Sequence, residues 1–400
     1  MRRSTFVLLA AAFLVAAGCG RGPQVEFADW LFPIAPGTPI KEYGPVPLEG
    51  RDTQVVQLID DLVIGDDVNQ PDAILYQPTG IVVSGDGTIF VGDRGAGNVK
   101  MFAPDGSLLK TFGKEGQGPG EFGRIGTMTI AAGKLIVDDS RNRRYSVWTL
   151  DGEHVADEVP TRRVSLSYMH GLADGTLVGY TTERDEDRNA RRVVMRRTLD
   201  GNEVARLFET PAIPPTAPIS ISDRRAMLQD MIDSFDDPRI YLEVWGGEVL
   251  YLSPQHEYQV LAMSTDGDSL WALRVAWARL PYPESQKQSL VDSFMRSFPG
   301  DEPVRPDQLD WPEHAPALLG ISTDAAGHIY VFPTLPPTED PGQPRDEWAV
   351  DVYTPAGDFI GAGVVPYRWS WAQGDFVYGT RPNELDETVV VRYRLVVSGS

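Results

Sequence analysis

Short apolar runs alternate with turn residues from Pro78 to Phe122, and that alternation is a ruler for the rest of the chain. Ile81–Val83, Thr88–Val91, Val99–Phe102 and Ser107–Phe112 are rich in β-branched and aromatic residues. Asp86-Gly87 and Asp105-Gly106 separate them where hairpin turns need positive φ, and Gly95-Ala96-Gly97 is a third flexible connection. The pattern predicts four antiparallel strands in one sheet. Such a sheet cannot cover both its faces alone and needs neighbours of its own kind.

The same ruler finds more units. Repeat two is Met128–Ile130, Lys134–Val137, Arg144–Trp148 and Glu153–Val159; repeat three is Val164–Met169, Thr176–Tyr180, Arg192–Thr198 and Glu203–Phe208. Repeat four is Tyr241–Trp245, Glu248–Leu252, Gln259–Met263 and Ser269–Trp277; repeat five is Leu319–Thr323, His328–Phe332, Trp348–Tyr353 and Asp358–Val365. The last repeat, Arg368–Ala372, Phe376–Gly379 and Thr388–Leu395, stops after its third strand, while the run Gln54–Ile64 is a strand without partners. A ring of sheets must close, so the orphan strand is expected to complete the last repeat and remove both edges. The fold class expected is all-β: a six-bladed β-propeller closed by an N-terminal strand. Two insertions, Pro211–Pro238 and Pro281–Pro316, read as short helices: one capped by Ser222-Asp223 with Met227, Met231, Ile232 and Phe235 at helical spacing, the other begun by Pro283-Glu284 with Leu290, Phe294 and Phe298 on one face. The expected organisation is a signal peptide over 1–18, a tether and packed extension over 19–50, and the propeller over 51–400. Its blades fall at about 78–113, 126–159, 164–209, 240–278, 317–365 and 367–396, with the closing strand at 54–64.

The opening stretch resembles an NHL repeat, in the pattern P-x-G-I-x-V-x-x-D-G-x-I-x-V-x-D followed by F-G-x-x-G-x-G-P-G-x-F. Val137-Asp138-Asp139-Ser140-Arg141-Asn142-Arg143-Arg144 is similar to the NHL element V-x-D-x-x-N-x-R. The resemblance implies a propeller and names no activity.

The N terminus changes where this propeller is expected. Arg2-Arg3 precedes the apolar run Phe6–Ala17, which is short for a membrane-spanning helix and has the layout of an export signal. Val15-Ala16-Ala17-Gly18-Cys19 resembles a bacterial lipobox, and Cys19 is the only cysteine. That resemblance implies cleavage before Cys19 and lipidation of its thiol, hence an exported, lipid-anchored protein of the cell envelope whose anchor makes the membrane a partner. No thiol is left for a disulfide, so core packing and ring closure must hold the body. Trp30, Leu31 and Phe32 are expected to dock on that body. The charged fraction of 23% and the hydrophobic fraction of 42% place the chain among globular proteins. A net charge of −21 argues against nucleic acid as a partner of the folded body.

Candidate chemistry gathers on one face. In a propeller the fourth-to-first connections share a face with the second-to-third hairpins, around the channel mouth. Both insertions, the glycine loop Gly113–Gly126 and the long hairpins Thr181–Arg191 and Pro333–Glu347 belong to that face. Loops grafted on a rigid scaffold are where binding resides. Asp93 and Asp139 occupy equivalent positions at the ends of second strands. Two roles fit them: recurrent structural carboxylates of the repeat, or oxygen ligands for Ca²⁺ of the kind held by lactonase-type propellers. Arg94, Arg124 and Arg141 fit an anion site or solvated loop charges. His170 and His314 stand in or before innermost strands. The resemblance to NHL-type lyases implies zinc there, but two histidines make an incomplete set, and pore-lining residues without metal are the other reading. His256-Glu257 opens like a zinc-protease motif, but Val260 replaces its second histidine. The function expected is a monomeric, non-enzymatic scaffold that needs no cofactor and binds an envelope protein, peptide or glycan. The alternative is a metal-dependent lyase- or lactonase-type enzyme with Ca²⁺ or Zn²⁺ in the channel.

Overall fold

The computed structural model describes residues 25–26, 28–32, 34–46, 50–51, 55–66, 70–161, 166–187, 189–212, 223–233, 239–298, 303–335 and 347–398. The expected signal segment and Cys19 lie outside the described residues.

Pro78–Val83, Ile89–Asp93, Asn98–Phe102 and Leu108–Phe112 pair antiparallel in chain order as blade one. Its turns use the expected chemistry. Gly87 and Gly106 sit at φ 87° and 86°, and the Asp86 carboxylate accepts from the Ser84 hydroxyl and the Thr88 N–H. Blades two, three and five repeat the plan with Ile125–Ala131 to His154–Glu158, Ser167–Gly171 to Glu203–Glu209, and Leu318–Thr323 to Phe359–Val365. Blade four runs from Ile240–Trp245 to Ser269–Val275. Blade six has three strands of its own, Trp371–Gln373, Phe376–Pro382 and Thr388–Val397, and takes Val56–Ile64 as its fourth. That seam is antiparallel, with Val390 opposite Ile64 and Val397 opposite Val56. The all-β ring of six blades closed by an N-terminal strand is therefore the observed fold.

Because each blade is covered on both faces, the core is a set of junctions. Phe90 and Phe112 of blade one meet Leu135 and Trp148 of blade two, Tyr330 of blade five meets Trp369 and Val391 of blade six, and Val390 of blade six meets Val83 and Ile89 of blade one. Three further clusters fill the remaining junctions. Burial on both faces explains why second strands such as Ile89–Asp93 are buried along their whole length.

Three elements differ from expectation. The extension before residue 50 is not all irregular: Ile40–Tyr43 adds a fifth strand to blade four, parallel to Ser269–Val275, and so covers that blade's outer edge. The predicted strand Ser269–Trp277 is broken at Ala276, whose N–H bonds the Tyr43 carbonyl, and Trp277–Ala278 instead pairs with Val25–Glu26. The innermost strand of blade six starts at Trp371, because Trp369 is drawn into the junction with blade five. Docking of the extension is as expected. Phe32 is buried edge-on against Phe208 at 5.0 Å, and the Gln259 amide bonds both Leu31 N and Asp29 O.

The insertions hold helices α1 (Arg224–Asp233) and α2 (Glu284–Ser297). Asp223 caps α1 by accepting the Ala226 N–H at 3.0 Å. Leu228 and Ile232 of α1 pack with Val291 and Phe294 of α2 and with Leu309, so the two insertions share one small core. Phe298, just past the end of α2, packs its ring on Phe294 at 4.9 Å, as the shared face predicts, yet stays 46% exposed. Phe235 lies outside the described residues.

Candidate functional site

The innermost strands line a central channel. Each runs from the face carrying the blade-to-blade connections toward the opposite face, so residues early in each strand stand at the mouth. A cavity of about 260 Å³ opens there, lined by all six blades; a second of about 240 Å³ lies toward the far end, and His170 borders both.

Alternation along the strands layers the chemistry. Tyr241 and Glu243 of blade four are two residues apart and both face the channel. Tyr168 and His170 do the same from blade three, where a bulge between Ser167 and His170 leaves Tyr168 at φ 49°. The upper layer is thus Tyr168, Tyr241 and Arg368, and the lower layer is His170 and Glu243.

The upper layer is aromatic and cationic. Tyr168 stacks on Tyr180 and meets Tyr241 edge-on, both at 5.9 Å. Desolvation by the channel wall pushes both phenols of the upper layer, Tyr168 and Tyr241, above their ordinary range, although Tyr168 keeps 42% of its surface open at the mouth, so they remain hydrogen-bond donors. The Arg368 guanidinium lies over Trp348 at 4.8 Å and Phe332 at 5.8 Å and donates to the Leu319 carbonyl. Gly320 makes room for it: a Cβ there would stand 2.9 Å from Nη1. Burial lowers the Arg368 pKa and the neighbouring tyrosines oppose that shift; among the described residues no carboxylate pairs with it. Arg239, exposed just before Ile240, acts electrostatically on both tyrosines.

The lower layer is uncharged at neutral pH. Burial holds the His170 pKa down to about 4, leaving a neutral imidazole whose Nε2–H faces the Leu242 carbonyl at 3.2 Å. Burial alone pushes the Glu243 carboxyl up to about 8, and among the described residues it has no hydrogen-bond or ionic partner. Both side chains meet water only through the narrow channel, so they are partly accessible yet poorly hydrated.

The remaining sequence candidates fall elsewhere. Asp93 and Asp139 are fully buried. Asp93 accepts the N–H groups of Tyr76, Gln77 and Ala96, at 3.0, 2.9 and 3.2 Å. Asp139 accepts those of Gly123 and Arg124, at 2.9 and 3.0 Å, with the Asn142 amide at 2.7 Å. These carboxylates pin the loops that join the blades. Arg94 reaches the Ile125 carbonyl at 3.4 Å, and Arg124 and Arg141 are exposed on the connection face. His314 follows α2, outside the residues lining the channel, with Nε2 at 3.7 Å from Glu313. His170 and His314 are not brought together, and among the described residues no three His, Cys, Asp or Glu converge as a metal would require. Sequence inspection missed Tyr168, Tyr241, Glu243, Arg239 and Arg368. Their signal was positional, a polar or aromatic side chain on the channel side of an innermost strand.

No protein-family model matches the chain, and no curated protein matches its sequence. A solved protein of Bacteroides fragilis, thought to be exported, is similar in fold, with a TM-score of 0.52 at 10% identity over 90% of this chain and 99% of that one. A member of the DUF4221 family from Bacteroides vulgatus gives 0.49 at 11% identity over 87% and 100%, and virginiamycin B lyase from Staphylococcus aureus 0.38 at 10% over 84% and 99%. At these identities the likeness is one of fold.

Proposed function

We propose that this is a lipid-anchored envelope propeller that works as a non-enzymatic binding scaffold, taking a protein segment, peptide or glycan at its loop-elaborated face. The observation that carries the reading is the convergence of Tyr168, Tyr241 and Arg368, from three blades, at a channel mouth where a guanidinium has no carboxylate partner among the described residues. Aromatic faces with a few fixed donors are what small recognition sites use. The tether supports the same face. Val25–Glu26 pairs with Trp277–Ala278 at the connection side of blade four, six residues after Cys19. Six residues reach about 21 Å at most, so lipidation of Cys19 would keep that face near the membrane. A photo-crosslinking amino acid at Tyr168, introduced in the native cell, should give discrete adducts. The same group at Leu109, exposed on the outer strand of blade one, should give none. Equal labelling, or none at Tyr168, refutes the reading.

The second reading, a lyase- or lactonase-type enzyme in the channel, draws on the protonated Glu243 beside a neutral His170. It is tested by elemental analysis for zinc and calcium; stoichiometric metal that is lost in Glu243→Gln would favour it.

A further inference from the structure

The protein carries 57 acidic against 36 basic side chains, and many of its arginines are paired. Arg144, Arg196, Arg206, Arg274 and Arg392 each pair with a carboxylate. At the channel mouth Arg368 has no carboxylate partner among the described residues, and the exposed Arg239, two residues before Tyr241, acts electrostatically on Tyr168 and Tyr241. Arg368 is positioned by stacking on Trp348 and by the space at Gly320, which holds its fork in place without a counter-ion. The tyrosines beside them are donors that stay protonated. Tyr241 reaches the Leu318 carbonyl only at 3.4 Å, and among the described residues the Tyr168 hydroxyl has no hydrogen bond. Glu243 stands one layer deeper and burial keeps its carboxyl protonated at neutral pH, so the mouth remains cationic.

We propose that the mouth is a receptor for one free carboxylate, gripped by Arg368 and Arg239 and by the hydroxyls of Tyr168 and Tyr241. This deepens the binding reading above and rests on the channel mouth being its site. A carboxylate presents two oxygens with about four lone-pair directions, which a guanidinium fork and two phenols match. The uncharged Glu243 and His170 then meet the neutral, polar body attached to that carboxylate. Two sources share this chemistry, a peptide C terminus and a sugar acid.

The test uses the mature full-length protein and the fluorescence of Trp369 and Trp371, which line the mouth. The probes are N-acetyl-alanyl-alanine, its C-terminal amide, glucuronate, glucose and inorganic phosphate. At least one carboxylate should bind tenfold or more tightly than its neutral counterpart, and the preference should shrink with added salt. Which acid wins identifies the source. Arg239→Gln, at an exposed site, should weaken the preference; Arg368→Gln should abolish it and Arg368→Lys should restore part of it. If acid and neutral forms bind equally in competition with each other, the carboxylate receptor is refuted while channel binding stands. Phosphate binding as tight as that of either carboxylate also refutes it. If no probe binds and Tyr168 gives no crosslink, both readings fall.

Discussion

Glu243→Gln offers a direct measure of how poorly the channel is hydrated. The wild-type carboxyl ordinarily titrates at 4.5 and is pushed up to about 8 by burial. Between those values the unfolded chain ionises while the folded chain keeps its proton. The unfolded state therefore binds fewer protons than the folded one, and stability falls as pH rises. Below 4.5 both states are protonated and nothing is lost; above about 8 both are ionised and the loss levels off. At ~1.4 kcal/mol per pH unit, the step from pH 5 to pH 7 costs ~2.7 kcal/mol for a fully dehydrated group. Channel water reduces this to ~1–2 kcal/mol. Gln keeps the shape and cannot ionise, so the gap in stability between variant and wild type should widen by that amount from pH 5 to pH 7. Urea unfolding of both proteins at each pH, followed by tryptophan fluorescence, reads it. A gap that does not change with pH would show that the carboxyl is as well hydrated as a surface glutamate.

Three further substitutions test the frame around the mouth. Arg51→Ala removes a partner from a buried pair in which Nη1 lies 2.5 Å from Asp351, with side chains 0% and 2% exposed. It should cost ~3–5 kcal/mol in urea unfolding, and Asp351→Asn in the same chain should recover part of that. Asp139→Ala orphans the Gly123 and Arg124 amides in the connection to blade two and should cost ~2–4 kcal/mol by thermal unfolding, with Asp139→Asn milder. Phe32→Ala should cost ~3–5 kcal/mol if the extension is part of the folded body, and nothing measurable in calorimetry if it is only a tether.

Ring closure was legible because it depends on counting. A last repeat with three strands and a lone run at Gln54–Ile64 leave one arrangement without edges. The turn ruler worked because Asp-Gly pairs serve the same backbone need in several blades. The strand Ile40–Tyr43 was not legible: its partner is the outer edge of blade four, distant in sequence, and half-exposed parallel pairing leaves little hydrophobic pattern. Asp93 and Asp139 were seen with two roles open, and the amides around them fit the structural one. Glu243 lay unremarked within a predicted strand. Its channel-side placement follows from alternation with Tyr241, but its meaning depends on five other strands that, among the described residues, leave it without a partner. The pattern starts a strand with Arg368, which instead stands before that strand, because stacking on Trp348 and the space at Gly320 set its place.

The seam of blade six also sets an order in time. Val56–Ile64 is synthesised near the beginning of the chain, yet its pairing partner, Thr388–Val397, is made near the end. Every other blade has its core strands close together in sequence and can assemble as it emerges. The closing strand must wait for its partner to be made, and its loop closure is the longest of any strand pairing among the described residues. Until it pairs, an edge of Thr388–Val397 and a face of blade one stay open. Pulsed hydrogen exchange during refolding should find the amides of 56–64 protected last.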